Sequence, residues 1–209
     1  MKALILAAGD MRLHSRLQHF RPGLVICADG GLRHAATLGV TPDLLVGDLD
    51  SVSSRTLADW PDVPVEKHPS AKGSTDLELA TAAAIARGAS TLLLVGTSGS
   101  RRDQELAALM HAVFLRRSGV RVQLDDGFTR AWPLIAGESL DLGLAANSTF
   151  SVVALSDDCR ISIGGAAWAL AHDVLPFGSG LGISNLATDG PGPTVTLHSG
   201  LAVVFAVGA

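Results

Sequence analysis

Leu44-Leu45-Val46-Gly47-Asp48-Leu49-Asp50-Ser51 passes from an unbroken apolar run to a pair of carboxylates. An apolar run without alternation suits a strand buried on both faces, as in a parallel sheet covered by helices on each side. The acids that follow fall at the carboxyl end of that strand, where open α/β sheets bind their ligands. If extended geometry continues through Leu49, Asp48 and Asp50 point to the same side, about 6.6 Å apart along the chain. Two carboxylates so oriented can share a hard divalent cation such as Mg²⁺, which prefers oxygen ligands and keeps substrate phosphates in its coordination shell. A D-x-D after an apolar strand also arises as a solvated polar turn, and in nucleotide-sugar transferases. The stretch alone therefore predicts the strand and leaves its chemistry open.

Working outward, Lys2–Ala8, Leu24–Ala28, Thr91–Gly96 and Val120–Leu124 have the same strand character. Helical patterns fall between them. Leu32–Leu38 stops at Gly39, a residue suited to the end of a helix. Thr75 with Glu78 forms the T-x-x-E pattern of a capping box, and Gly88 marks the end of the helix they start. A third helix is predicted over about 103–117, with Leu106, Leu109, Met110, Val113 and Phe114 as its apolar stripe. After Gly127 the pattern changes to short, Gly-rich segments of β character. Candidate strands are 139–142, 149–154, 160–164, 166–170, 182–185, 194–197 and 201–207, with turns at Asp157-Asp158, Gly164-Gly165, 176–180 and 189–193. The reading is an α/β domain with a parallel sheet over residues 1–127, followed by an all-β domain of sandwich or barrel type over 128–209.

The composition agrees with two folded domains. The chain has 209 residues, 47% hydrophobic and 17% charged, which supports a well-buried core and argues against disorder. A formal net charge of -4 argues against nucleic-acid binding, so an anionic ligand needs metal or a few well-placed cations. Cys27 and Cys159 show no metal-ligand spacing and read as reduced, buried thiols. The seven histidines show no ligand spacing either, leaving a zinc enzyme without support. MKALILAAGD is too short to span a bilayer and lacks a signal-peptide pattern, so no membrane association and a cytoplasmic location are expected.

Two further junctions resemble the first. Cys27-Ala28-Asp29-Gly30-Gly31 joins a strand to a helix, and its glycines allow close approach of a ligand to the backbone. Lys72-Gly73-Ser74-Thr75-Asp76 places a cation, a capping hydroxyl and an acid at a third junction. Lys72 could neutralise phosphate, and Asp76 could ligate metal or orient a hydroxyl. Each junction has a plain structural explanation as a turn or a cap. Together, at the predicted carboxyl ends of strands, they are more specific.

In this order the three motifs resemble those of thiamine pyrophosphokinases. So do Pro42-Asp43 ahead of the D-x-D, and Trp168-Ala169-Leu170 and Gly182-Ile183-Ser184-Asn185 in the β-rich part. The resemblance implies an α/β domain that binds ATP and Mg²⁺, and a β-sandwich domain that supplies much of a thiamine pocket and helps form a homodimer. It implies transfer of the terminal diphosphate of ATP to the hydroxyl of thiamine, leaving AMP. By residue matching it makes Asp48, Asp50 and Asp76 the metal and phosphate-site acids. Asp29, Gly30, Gly31, Lys72, Thr75 and Arg101 fall on the nucleotide side, with Asp76, Asp103 and Lys72 closest to the chemistry. Trp168 would offer an aromatic face to the thiazolium cation, with Ser184 and Asn185 near the pyrimidine.

The match departs from the family pattern around Gly99-Ser100-Arg101-Arg102-Asp103-Gln104. There a G-G-R-x-D-H sequence is usual; Gln104 replaces its histidine, and Ala108 stands where asparagine is common. Gly73 also stands where an acid often follows the lysine. Two alternatives stay open for these reasons. One is a related diphosphotransferase acting on another hydroxymethyl heterocycle such as a pterin. The other is a non-catalytic thiamine or nucleotide binder. Leu6-Ala7-Ala8-Gly9 has a likeness to sugar-nucleotide nucleotidyltransferases, but Asp10-Met11-Arg12 does not continue their Gly-rich loop.

Overall fold

Every residue of Leu24–Ala28 (β2) and Leu44–Gly47 (β3) is buried, as strands covered on both faces must be. They belong to a computed structural model that describes residues 1–69, 73–99 and 101–208. The chain divides into two units, one over Met1–Gly127 and the other from Phe128 onward. In the first unit Lys2–Leu6 (β1) precedes a short helix Ser15–His19 (α1). A 3-10 turn at Asp29–Leu32 leads from β2 into Arg33–Leu38 (α2), which Gly39 ends. After β3 come Ser54–Ala58 (α3), Val65–Lys67 (β4), Asp76–Ala86 (α4), Thr91–Val95 (β5), Arg102–Arg117 (α5) and Arg121–Asp125 (β6).

The sheet order in this unit is β4-β3-β2-β1-β5-β6, with every neighbouring pair parallel. From β1 the chain steps outward through β2, β3 and β4, then returns to the other side of β1 for β5 and β6. The order reverses between β1 and β5, which makes the crevice beyond their carboxyl ends the natural ligand site. Ile5, Ile26, Leu45 and Leu94 are 0–1% exposed along the sheet, each burial contributing roughly 1.5–3 kcal/mol.

The apolar stripe expected on α5 is corrected. Ala108, Ala112, Val113 and Leu115 are the buried residues, whereas Leu106, Met110 and Phe114 are exposed. Val113 of the expected stripe is buried, but alanines and Leu115 fill the rest of the inward face in place of its larger members. The edge strand β4 and helices α1 and α3, all of five residues or fewer, were not expected from the sequence.

The second unit contains Thr129–Ile135 (β7), Glu138–Asp141 (β8), Thr149–Ala154 (β9), Arg160–Gly164 (β10), Leu170–Val174 (β11), Asn185–Leu186 (β12), Thr194–Ser199 (β13) and Leu201–Val207 (β14). Its strands pair in the orders β12-β9-β14-β7 and β11-β10-β13-β8, throughout antiparallel. Phe150, Val152 and Val204 from one layer meet Ile161, Ile163, Val195 and Leu197 from the other in a shared core. That is a sandwich, which decides between the two β architectures left open above. Alternating burial in β9 and β10 reproduces the period of two. The strand expected over 166–170 lies instead at Leu170–Val174, where four of the five residues are exposed. An edge strand with polar residues carries no apolar alternation to read. The strand expected over 182–185 is reduced to Asn185–Leu186, because Ser184 adopts a left-handed φ of 58°.

Candidate active site

The loops that leave β1 and β5 are tied to each other. Gly9 N–H donates to Gly96 O at 2.7 Å, and Asp10 N–H to Ser98 O at 2.7 Å. Helix α2 holds them from one side. Arg33 Nη2 donates to Ala8 O at 2.5 Å and Gly9 O at 2.8 Å, while His34 Nε2 lies 2.8 Å from Gly9 O. A carbonyl only accepts, so Nε2 carries the proton. Burial also pushes the imidazole below its ordinary pKa, opposed by the Gly9 bond. A cleft of about 660 Å³ opens over this crevice and is lined by residues from the ends of β1, β2, β3 and β5 and from α4 and α5.

Asp29, Asp48 and Asp50 meet in that cleft. One carboxylate oxygen from each lies within 4.8 Å of the others. The convergence does not come from the extended geometry expected for the D-x-D. Leu49 has a left-handed φ of 69°, and Asp50 N–H turns back to Asp48 Oδ1 at 3.2 Å. Asp29 is buried, at 6% exposure, and also has positive φ. Its Oδ2 accepts from the Ser51 hydroxyl, whereas its Oδ1 is buried without a hydrogen-bond partner among the described residues. Burial raises the Asp29 pKa; the Gly30 N–H opposes this, and the charges of Asp76, Asp48 and Asp50 add to it. Three carboxylates, mutually repulsive and with one orphaned oxygen, form a donor set suited to a hard divalent cation.

Two glycines make this packing possible. A Cβ on Gly47 would lie 3.0 Å from Asp29 Cβ and 3.2 Å from Asp76 Oδ1, and Gly47 has φ 151°. A Cβ on Gly31 would collide with the Leu6 carbonyl, so the D-G-G turn can rest on β1 only without side chains. Gly30 and Gly31 are both buried and serve this close approach.

At another junction in the cleft lining, Thr75 caps α4. Its hydroxyl accepts from Glu78 N–H at 3.2 Å, and Glu78 Oε2 accepts from Thr75 N–H at 2.6 Å. Asp76 follows in the cleft lining. Lys72 and Ser100 lie outside the described residues. Arg101 and Asp103 pair in a bidentate bond, Nε to Oδ1 at 2.9 Å and Nη2 to Oδ2 at 2.6 Å. The guanidinium holds the Asp103 carboxyl down at about 2. Both are about two-thirds exposed, so the pair adds little stability and chiefly sets where Arg101 points. Gln104, Ala107, Ala108 and His111 of α5 also line the cleft. Arg33, Ser51 and His111 went unrecognised in the sequence. For His111 the available signal was its spacing of seven from Gln104, which puts both on one face of α5.

In the second unit, Trp168 is 60% exposed and Asn185 is 3% exposed. Asn185 Oδ1 accepts from Trp168 N–H at 3.1 Å and Leu186 N–H at 2.9 Å, and its Nδ2 donates to Trp168 O at 2.7 Å. The amide thus grips the backbone beneath the exposed indole. Ser184 is exposed, and its N–H donates to Ser151 Oγ at 3.0 Å.

Fold and site together define a two-part protein, an open parallel α/β unit with an acidic cleft at its switch point followed by an antiparallel β-sandwich. The thiamin pyrophosphokinase catalytic-domain model matches residues 20–124, and the vitamin B1 binding-domain model of the same enzymes matches residues 139–202. The chain belongs to the thiamin pyrophosphokinase family.

Among solved structures, a thiamine pyrophosphokinase from Bacillus subtilis superposes with a TM-score of 0.87 at 22% identity, over 100% of both chains. One from Geobacillus thermodenitrificans gives 0.84 at 20% identity over 100% of this chain and 98% of the other. One from Candida albicans gives 0.81 at 13% identity over 99% and 88%. At these identities the likeness is one of fold. No curated protein matches the sequence.

Proposed function

We propose that this chain is a thiamine pyrophosphokinase that transfers the terminal diphosphate of ATP to the hydroxyl of thiamine, yielding thiamine diphosphate and AMP. The observation that carries the reading is the convergence of Asp29, Asp48 and Asp50 at the switch-point cleft, in a chain matched by both family domains. Asp48 and Asp50, with Asp29, would hold Mg²⁺, and Asp76 lies against the same cluster. The cation would neutralise phosphate charge and orient it for in-line displacement.

The remaining roles belong to the chain's own groups. The alcohol of thiamine is a very weak acid, so positioning and charge neutralisation contribute more than a strong base. Arg33 and Arg101 are described cations of the cleft lining, and Lys72 would join them on the phosphates. Asp103 would orient the attacking hydroxyl or, through its bond to Arg101, that guanidinium. Thr75 already caps α4, and its backbone N–H is engaged by Glu78; its contribution to the nucleotide is the placement of Asp76. In the second unit Trp168 would stack on the thiazolium, with Ser184 beside it and Asn185 fixing the tryptophan backbone. Phe177, Leu181 and Ile183 are large apolar side chains exposed in this unit, which supports a homodimer. Among the described residues no helix is long and apolar enough to cross a membrane, and both cysteines are free and buried; a cytoplasmic setting fits them.

Purified protein with ATP, Mg²⁺ and thiamine should yield AMP and thiamine diphosphate in equal amounts. Absence of product across a range of pH and metal would overturn the reading. A second reading, diphosphate transfer to another hydroxymethyl heterocycle, is favoured by Gln104 and Ala108 in the cleft wall, where family members usually carry histidine and asparagine. AMP release with a pterin alcohol but not with thiamine would select it. Thiamine binding without turnover would select a non-catalytic binder.

A further inference from the structure

The wall that α5 presents to the cleft consists of Gln104, Ala107, Ala108 and His111, spaced i, i+3, i+4 and i+7 on one helical face. Two methyl groups at its centre leave a flat aliphatic floor, and the imidazole of His111 stands at one end. Its hydrogen bonds, taken together with those of Thr81, point to one tautomer. Thr81, on α4, is 1% exposed, and its hydroxyl donates its single hydrogen to Glu78 O at 2.9 Å. That oxygen can then only accept from His111 Nε2, 2.8 Å away. The proton of the neutral ring is therefore on Nε2, and Nδ1 carries a lone pair. Among the described residues no hydrogen bond reaches Nδ1, and the residue lines the cleft. Burial of the ring lowers its pKa, opposed by the charge of Glu78, which keeps it neutral at neutral pH.

We infer that His111 determines specificity in this cleft, its Nδ1 accepting a hydrogen bond from the amino group of a heteroaromatic substrate lying over Ala107 and Ala108. The inference rests on the proposed reaction for its choice of substrates. Both of these carry such an amine, on the adenine of ATP and on the aminopyrimidine of thiamine. A protonated imidazole, or the opposite tautomer, would present a donor and favour an oxo group instead. The lock supplied by Thr81 thus has a consequence for ligand choice that a merely structural histidine would not have.

The test compares amino and oxo analogues in two arms, ATP against ITP with thiamine saturating, and thiamine against oxythiamine with ATP saturating. Wild type should prefer the amine in one arm, and that arm identifies which substrate the imidazole meets. In His111→Phe the preference in that arm should fall about tenfold, mainly through KM, as expected for one lost hydrogen bond between neutral groups. His111→Gln, which keeps a donor for Thr81 and an acceptor for the ligand, should retain most of it. Should His111→Phe fail to fold, His111→Met takes its place.

The inference is overturned if wild type shows no preference for the amine in either arm. It is also overturned if the preference survives in His111→Phe, or if amino and oxo analogues lose affinity equally. When the wild type binds these ligands without turnover, the same ratios are read from Kd. The reaction proposal then fails, and the amine preference alone decides the role of His111.

Discussion

Asp29 carries its charge under strain, buried, with one oxygen orphaned and three other carboxylates raising its pKa. A divalent cation would relieve all of this at once, so Mg²⁺ should raise the melting temperature by mass action, by about 2.7 kcal/mol of stability at a hundred times Kd. Asp50 is exposed, and Asp50→Asn removes one of the charges that repel Asp29. That variant should melt at or above the metal-free wild type, lose the Mg²⁺-dependent shift and lose most turnover. A normal rate together with a normal shift would remove Asp50 from the metal site. Cys27 offers an independent check on the sheet. Burial pushes its thiol up from 9.0 to about 12, so above pH 9 the unfolded chain releases a proton that the folded chain retains. Its share of stability is complete below pH 9 and is lost as pH climbs towards 12. Alkaline urea melts should show that slope in wild type and a shallower one in Cys27→Ala, and native protein at pH 8 should resist thiol reagents. Asp29 and Asp48 were legible in the sequence because each ends an apolar run, and Asp50 as the second acid of the D-x-D, although the expected metal set had Asp76 where the structure groups Asp29 with them. Leu49 was not, since nothing in a leucine announces a left-handed φ, and the extended geometry assumed for it fails.

Among the elements, α4 was the most legible. Thr75 and Glu78 form both halves of the expected capping box, a local interaction that requires no knowledge of the fold. Thr75→Ala should cost about 1 kcal/mol in urea denaturation, and Thr75→Ser should recover most of it. Equal stability of the alanine variant would show that the box contributes nothing. Strands β2, β3, β9, β10 and β14 have the bounds that their apolar patterns indicate, because burial on one or both faces writes itself into composition. Strand β4 is three residues long at a sheet edge and β11 is largely exposed, so neither has an apolar face to betray it. On α5 the pattern misled in part: Val113 is buried as expected, but Ala108, Ala112 and Leu115 join it while Leu106, Met110 and Phe114 face outward.

For the whole molecule, the change from helix-spaced to alternating patterns near Gly127 reflects two ways of covering a sheet, with helices in one unit and with a second sheet in the other. The acids proposed to serve the phosphates lie in the first unit, where strand ends converge, and were visible as ordered motifs. The residues proposed for thiamine in the second unit were less so, because Asn185 bonds the Trp168 backbone and that pairing links residues 17 apart in sequence. The two roles separate experimentally. Trp168 is 60% exposed, so Trp168→Ala should leave the melting temperature nearly unchanged. It should raise the KM for thiamine roughly tenfold or more, as loss of a desolvated cation–π contact implies, while the KM for ATP stays put. Asn185→Leu strips the part-buried hydrogen bonds from the Trp168 backbone and should cost about 1–3 kcal/mol of stability, with a rise in thiamine KM that parallels Trp168→Ala. Equal changes in both KM values, or unfolding of Trp168→Ala, would make the indole a packing residue and move thiamine recognition elsewhere in the sandwich.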